Sequence, residues 1–361
     1  MSKPISHSLG HGQRLARRQL ARVLAGVAAF VALPHVASQV WAQSKPEKSK
    51  VAIAVAGRAA FYSLPLTIAE QLGFFRDEGL DVEISDFAGG TVAVQAVVSG
   101  GADVVSGAYE HTIHLQGKNQ FCQAFVLQGR SPAIAMGYST KTLANYKTWA
   151  DLRNKKIGVS AMGSSTHMLA KLVLAQADIK PEDVSFVGVG TSIGVITAMR
   201  SGQIDVVSTI DPMMTMLEHK GDVRTIVDTR TMKGTLALFG GPMPASCLYA
   251  PSEFLQKNPN TAQALANGIV HALKWLQTAG PGDIIKAVPE PYFLGDRGLY
   301  LSAFNKVREA LAIDGLVQDE GPRTALRALS SYDSSVVAGK ISLPKTYTNE
   351  FARRAKLKFW A

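Results

Sequence analysis

Apolar positions along the chain fall into two matching series. The run Lys50-Val-Ala-Ile-Ala-Val-Ala-Gly57 reads as a buried strand ending in a glycine turn, and Leu64, Ile68 and Leu72 behind it recur at helical spacing. Lys156-Ile-Gly-Val-Ser-Ala-Met-Gly163 repeats the arrangement, with Leu169, Val173 and Ala177 as its helical stripe. Short strands are predicted next, Leu80 to Phe87 in one series and Val184 to Val189 in the other. The correspondence then becomes literal. Ala96-Val-Val-Ser-Gly-Gly-Ala-Asp-Val-Val-Ser106 returns as Ala198-Met-Arg-Ser-Gly-Gln-Ile-Asp-Val-Val-Ser208 at an offset of 102, and at that offset Asp81-Val82 meets Asp183-Val184. Each half therefore predicts strand, helix, strand, helix, strand, with Ser-Gly stopping the second helix before Asp-Val-Val opens a buried strand. Such alternation builds a parallel sheet covered on both faces, with ligands at the carboxyl ends of its strands.

Between the halves, Phe121 to Gly129 and Ala133 to Tyr138 read as strands leading out of the first unit. Leu236-Ala-Leu-Phe239 and Cys247-Leu-Tyr-Ala250 read as strands running back, and Thr261 to Thr278 as a helix. The expected plan is α/β with two lobes, a discontinuous first lobe (46–130 and 245–361) and a second lobe (131–244). Two crossings make a hinge, and a hinge between two lobes makes a cleft.

Charge alters this picture at one end only. Residues 1–42 hold five basic side chains (Lys3, Arg14, Arg17, Arg18, Arg22) and no acid, followed by the eleven-residue apolar run Val23 to Leu33. That pattern predicts a cleaved export signal, cut after Ala42 and too short to span a bilayer. Arg17-Arg18 resembles a twin-arginine signal, although Leu20-Ala21-Arg22 stands where Phe-Leu-Lys is usual, and an ordinary secretory signal fits as well. With those five of 38 basic residues removed, against 28 acidic ones, the net charge falls from +10 to about +5. No basic cluster is interleaved with aromatics, which excludes nucleic acid as the expected partner. Cys122 and Cys247 sit in no metal-binding spacing, and their pairing stays open. No cysteine follows the signal to carry a lipid, so the expected location is the periplasm.

In their order along the chain, several segments resemble the periplasmic receptors for sulfonates, taurine, nitrate and thiamine-precursor pyrimidines. They are Pro65-Leu-Thr-Ile-Ala-Glu-Gln-Leu-Gly-Phe-Phe75, Glu78-Gly-Leu-Asp-Val-Glu83, Ser99-Gly-Gly-Ala-Asp103, Trp149-Ala-Asp-Leu-Arg-Asn-Lys-Lys-Ile-Gly-Val159, Ser201-Gly-Gln-Ile-Asp-Val206 and Asp211-Pro212. The resemblance implies a type II periplasmic binding fold. It also implies a monomeric receptor that delivers a small organic anion or heterocycle to a permease with a cytoplasmic ATPase, without a cofactor.

Candidate ligand contacts follow from the loops at the strand ends. Gly163-Ser164-Ser165-Thr166 opens a helix, where free N–H groups and hydroxyls suit a polar oxygen; Ser164 or Ser165 can also simply cap the helix. In the matching loop Arg58 offers a cation for a carboxylate or sulfonate, or a plain solvent-facing charge, and Phe61 and Tyr62 offer rings for stacking. Gly107, Ala108 and Tyr109 end one duplicated strand and Asp211 the other, Asp211 also being a natural cap. Ala108 and Ile210 depart from the sulfonate receptors' acid and tryptophan at these places. Arg130 and the Gly241-Pro-Met-Pro244 turn border the expected cleft mouth, with Met243 as wall or core. Glu110, His111 and His114 lack the spacing and further ligands of a zinc site. Hydrolase elbows and Walker loops are absent, and Gly188-Val-Gly-Thr-Ser-Ile-Gly194 misses the dinucleotide fingerprint by one place. A receptor and not an enzyme is therefore expected. The alternatives are a pyrimidine-synthase-like enzyme of the same fold, which depends on a cysteine-rich motif, and a periplasmic ligand sensor.

Overall fold

In the first sheet, β1 (Lys50–Ala56) pairs in parallel with β2 (Asp81–Phe87), Lys50 opposite Asp81, and with β3 (Val104–Ala108), Ile53 opposite Val104. Helices α1 (Leu64–Gln71) and α2 (Gly90–Val98) make the crossovers, and α3 (Glu110–Gly117) leads to β4 (Cys122–Leu127). The chain then passes to a second sheet: β5 (Ile134–Ser139), β6 (Lys156–Val159), α4 (Ser165–Gln176), β7 (Ser185–Gly188), α5 (Gly194–Ser201), β8 (Val206–Ile210), α6 (Met213–His219) and β9 (Val223–Asp228). After α7 (Met232–Phe239) it returns as β10 (Ser246–Pro251). Its main closing helices are α8 (Pro259–Thr278), α9 (Arg297–Val307), α10 (Glu320–Ser330) and α11 (Glu350–Phe359). This computed structural model describes Met1 and residues 45–361. The expected export features, Arg17-Arg18, the apolar run and the cut after Ala42, lie outside the described residues.

The sheets share one plan, β2-β1-β3-β10-β4 and β7-β6-β8-β5-β9. Four strands of each run the same way. The fifth, β10 or β5, is antiparallel to both neighbours and is in each case the strand that has just crossed from the other lobe. The architecture is thus two-lobed α/β with mixed, mostly parallel sheets.

The sequence repeat has a structural cause. Gly100 and Gly202 take φ of +80° and +75°, the left-handed turn that ends α2 and α5. Three residues further on, Asp103 accepts a hydrogen bond from the Ala52 amide (2.9 Å) and Asp205 one from the Lys156 amide (3.0 Å). Each aspartate thereby pins the start of a central strand to its neighbour.

Apolar side chains fill both lobes. Ile53, Val55, Phe75, Phe125 and Tyr249 pack with Leu265, Ile269 and Leu273 of α8 in the first. In the second, alternation along β8 sends Val206 to one face and Val207 to the other. Cys122 and Cys247 are buried free thiols on adjacent strands, opposite Pro251 and Leu127 and not each other. Among the described residues no helix is long and apolar enough to cross a membrane.

One expected element changes type: Leu236 to Phe239 is the end of α7, not a strand. Four apolar residues in a row do not distinguish the two, and the deciding signal lay upstream. Thr231 caps the helix by accepting from the Gly234 amide at 3.1 Å.

Candidate functional site

The carboxyl ends of the parallel strands from both sheets converge on one narrow chamber. Ala56 of β1 and Ser106, Gly107 and Ala108 of β3 line it from one lobe, Ser160 and Ile210, after β6 and in β8, from the other. Tyr62, Gly90, His111, Ser164, Ser165, Thr166 and Thr191 complete the wall. A second, smaller and mostly apolar cavity, an annex, shares Ile134 and Ser165 with it and is bounded by Met168, Leu169, Phe239, Met243, Leu329 and Tyr332, with Glu110 as its carboxyl group.

The lobes meet directly around these spaces. Phe61 N–H donates to the Asp211 carbonyl at 3.0 Å, and Thr91 Oγ1 to the Met162 carbonyl at 2.9 Å. His111 spans the gap, Nδ1 to the Tyr249 hydroxyl (3.1 Å) and Nε2 to the Gly163 carbonyl (3.4 Å). Burial pushes His111 down to about 4, so the ring is neutral and, with Nε2 donating to the carbonyl, accepts at Nδ1 from Tyr249.

At the α4 start the hydroxyls are held in advance. Ser160 Oγ lies 2.8 Å from Ser164 Oγ and 2.9 Å from Thr166 Oγ1, and Ser164 caps the helix by accepting from His167 N–H at 3.4 Å. The first N–H groups of α4 have no acceptor within the helix, leaving donors at the chamber wall. Removing the cap in Ser164→Ala should cost about 1 kcal/mol of stability, read as a lowered urea midpoint with unchanged slope.

Several residues singled out from sequence face elsewhere. The Arg58 guanidinium is paired with Glu70 and reaches the Ile84 carbonyl, so it lines neither cavity. The Phe61 ring packs on Tyr300 with centroids 4.5 Å apart. Tyr109 is buried in the first lobe, its hydroxyl 2.6 Å from Thr346 Oγ1. Gly163 meets the opposite lobe through its carbonyl, which faces His111, and through its Cα side, which faces Thr91, and does not line the chamber. Asp211 caps α6 through Thr215 N–H at 2.7 Å, and its other oxygen lies 3.3 Å from Arg230. Arg230 is itself buried and also grips Glu218 and Asp228, both at 2.7 Å. Tyr62, Gly107, Ala108, Ser164, Ser165 and Thr166 do line the chamber, and Met243 is both annex wall and core. Glu110, His111 and His114 do not gather as a metal site: His114 lies 3.8 Å from Asp333, and no group of three metal-binding side chains forms among the described residues.

Sequence reasoning passed over Ser160, Gly90 and Thr191 as contacts, and weighed Glu110 and His111 only for metal. Thr191 belongs to the near-fingerprint Gly188 to Gly194, where the glycines were its one visible signal.

Comparison with known proteins places the chain in context. A family model described as NMT1/THI5 like matches residues 60–279. A solved structure from Bordetella bronchiseptica RB50 is 56% identical, covers 88% of this chain and 100% of that one, and superposes with a TM-score of 0.86. The Bacillus subtilis (strain 168) protein YtlA is 24% identical over 68% of this chain and 71% of its own length. The alkanesulfonate-binding protein SsuA from Xanthomonas axonopodis pv. citri, bound to MOPS, shares the fold at 16% identity and a TM-score of 0.65, over 84% of this chain and 99% of that one.

Proposed function

The chain belongs to the NMT1/THI5-like family, and from that premise we propose that it is the exported solute receptor of an ATP-driven importer. It binds one small molecule between its lobes and passes it, chemically unaltered, to a membrane permease. The observation that carries this reading is the chamber at the carboxyl ends of both parallel strand sets, closed over by hydrogen bonds made directly from lobe to lobe. The two crossings, 128–133 and 240–245, serve as the hinge. Ligand held by one lobe recruits the other, so affinity reflects how strongly closure is favoured.

The proposed contacts are Tyr62, Gly107, Ala108, Ser164, Ser165 and Thr166, joined by Ser160, His111 and Thr191. A role as receptor rather than enzyme is supported by how the chamber's polar groups are spent. His111 already uses both ring nitrogens, and among the described residues no chamber serine hydroxyl is hydrogen-bonded to a histidine ring, as an activated nucleophile requires.

The test is to purify the protein from its native host, release any bound molecule by denaturation, identify it by mass spectrometry and add it back. A receptor should bind it one to one, contract in small-angle X-ray scattering and return it unchanged after prolonged incubation. Catalytic conversion, or binding without contraction, overturns the reading.

A further inference from the structure

Glu110 is a buried carboxyl group in the cleft with no cation to meet it. It stands at the first position of α3, at 6% exposure, on the wall of the apolar annex. Neither Lys nor Arg lines the annex or the chamber, and among the described residues no ion pair includes Glu110. The acids Tyr62, Tyr109, Cys247, Tyr249 and Tyr332 are all pushed upward, burial being the main cause and Glu110 adding to it, so they stay neutral. The neighbouring His111 is neutral, and His114, also lowered by burial, is turned to Asp333. Burial likewise raises the Glu110 carboxyl to about 7, even though its own amide and the nearby Ser165 hydroxyl favour the charged form. An uncompensated buried charge is expensive, and no Lys or Arg lines either space to offset it, so a cation bound there would favour the ionised carboxyl. That space is walled by Phe239, Met168, Met243 and Tyr332; Lys171 Nζ already lies over the Tyr332 ring, 4.8 Å from its centroid, without lining the space, so Phe239 and the two thioethers are the surfaces that suit an organic cation.

Resting on the receptor reading, we propose that Glu110 selects a ligand carrying an organic ammonium group on a small apolar body, and disfavours sulfonates, nitrate and carboxylates. Three probes of one shape separate the cases: 2-phenylethylammonium, 2-phenylethanol and 2-phenylethanesulfonate, titrated calorimetrically into the full-length mature protein. The ammonium should bind at least tenfold more tightly than the other two. Glu110→Gln should reduce it to the affinity of the alcohol. In the parent its affinity should climb as pH rises through 7, because the cation needs the ionised carboxyl, and binding there should release a proton, seen as heat that depends on the buffer. The pH series keeps the test valid even where the variant folds poorly. Tighter binding of the sulfonate, an unchanged ammonium affinity in Glu110→Gln, or no binding of the ammonium each overturns the proposal. Tight sulfonate binding with contraction of the protein leaves the receptor reading standing, whereas tight binding of any probe without contraction strikes that reading instead.

Discussion

Arg230→Ala is expected to destabilise the protein by about 3–5 kcal/mol, the cost of stranding a buried carboxylate after its cation is removed. The side chains of Arg230 and Asp211 are 4% and 0% exposed, and Glu218 and Asp228 share the same guanidinium. Asp211 also caps α6 and lends its carbonyl to the Phe61 amide of the opposite lobe, so the loss reaches the contact between lobes. Urea unfolding measures the loss, and adding Asp211→Asn to Arg230→Ala should recover part of it, since an amide keeps the cap without the charge. A change below about 1 kcal/mol means that the cluster is solvated. Acid should reach the same cluster. Burial raises Glu218, but hydrogen bonds from Arg230, Lys306 and Thr225 outweigh it and bring the carboxyl from 4.5 down to about 2. A carboxyl lowered in the folded state contributes stability above its unfolded pKa, and that contribution is lost as pH falls from about 4.5 through 2.

Gly89→Val should leave the ligand-free protein as stable as the parent while weakening ligand binding by about tenfold to a hundredfold. Gly89 has extended backbone, φ −170° and ψ 162°, which valine adopts without strain. A Cβ there lies 2.4 Å from the Ala161 Cβ of the other lobe, so the added bulk meets resistance only when the lobes are shut. Overpacking costs about 1–3 kcal/mol, charged here to closure alone. Calorimetry with the molecule recovered from the native protein reads the affinity, and scattering should show a wider ligand-free particle. Unchanged affinity with unchanged dimensions would mean that the lobes do not need this contact to hold a ligand.

Much of this architecture is legible from residue patterns because it is repeated. Asp103 and Asp205 stand in equivalent places for one backbone reason, and a duplicated hydrogen bond leaves a duplicated motif. The site is less legible. At the turn after β3, Gly107 and Ala108 line the chamber as read from sequence, but Tyr109 does not, whereas the next two residues, Glu110 and His111, line the cavities; successive helical positions turn through about a quarter of a circle, so a one-residue uncertainty in where α3 begins exchanges core for cavity. Arg58 was misleading for another cause. Its partner Glu70 is twelve positions away on α1, and a loop cation looks unengaged until that helix is folded back beside it. The position of Ser164 and Ser165 on the chamber wall is legible because a helix start needs capping groups wherever it lies.

The exchange of strands at the crossings also sets an order of assembly on the ribosome. All five strands of the second sheet, β5 to β9, emerge in one uninterrupted stretch from residue 134 to 228, and can pair as soon as they leave the exit tunnel. The earlier-made β4 cannot: its neighbour β10 is translated more than a hundred residues later. The half begun first is therefore completed last, and a nascent chain halted before residue 246 carries β4 without its partner, a strand open to pairing with other chains.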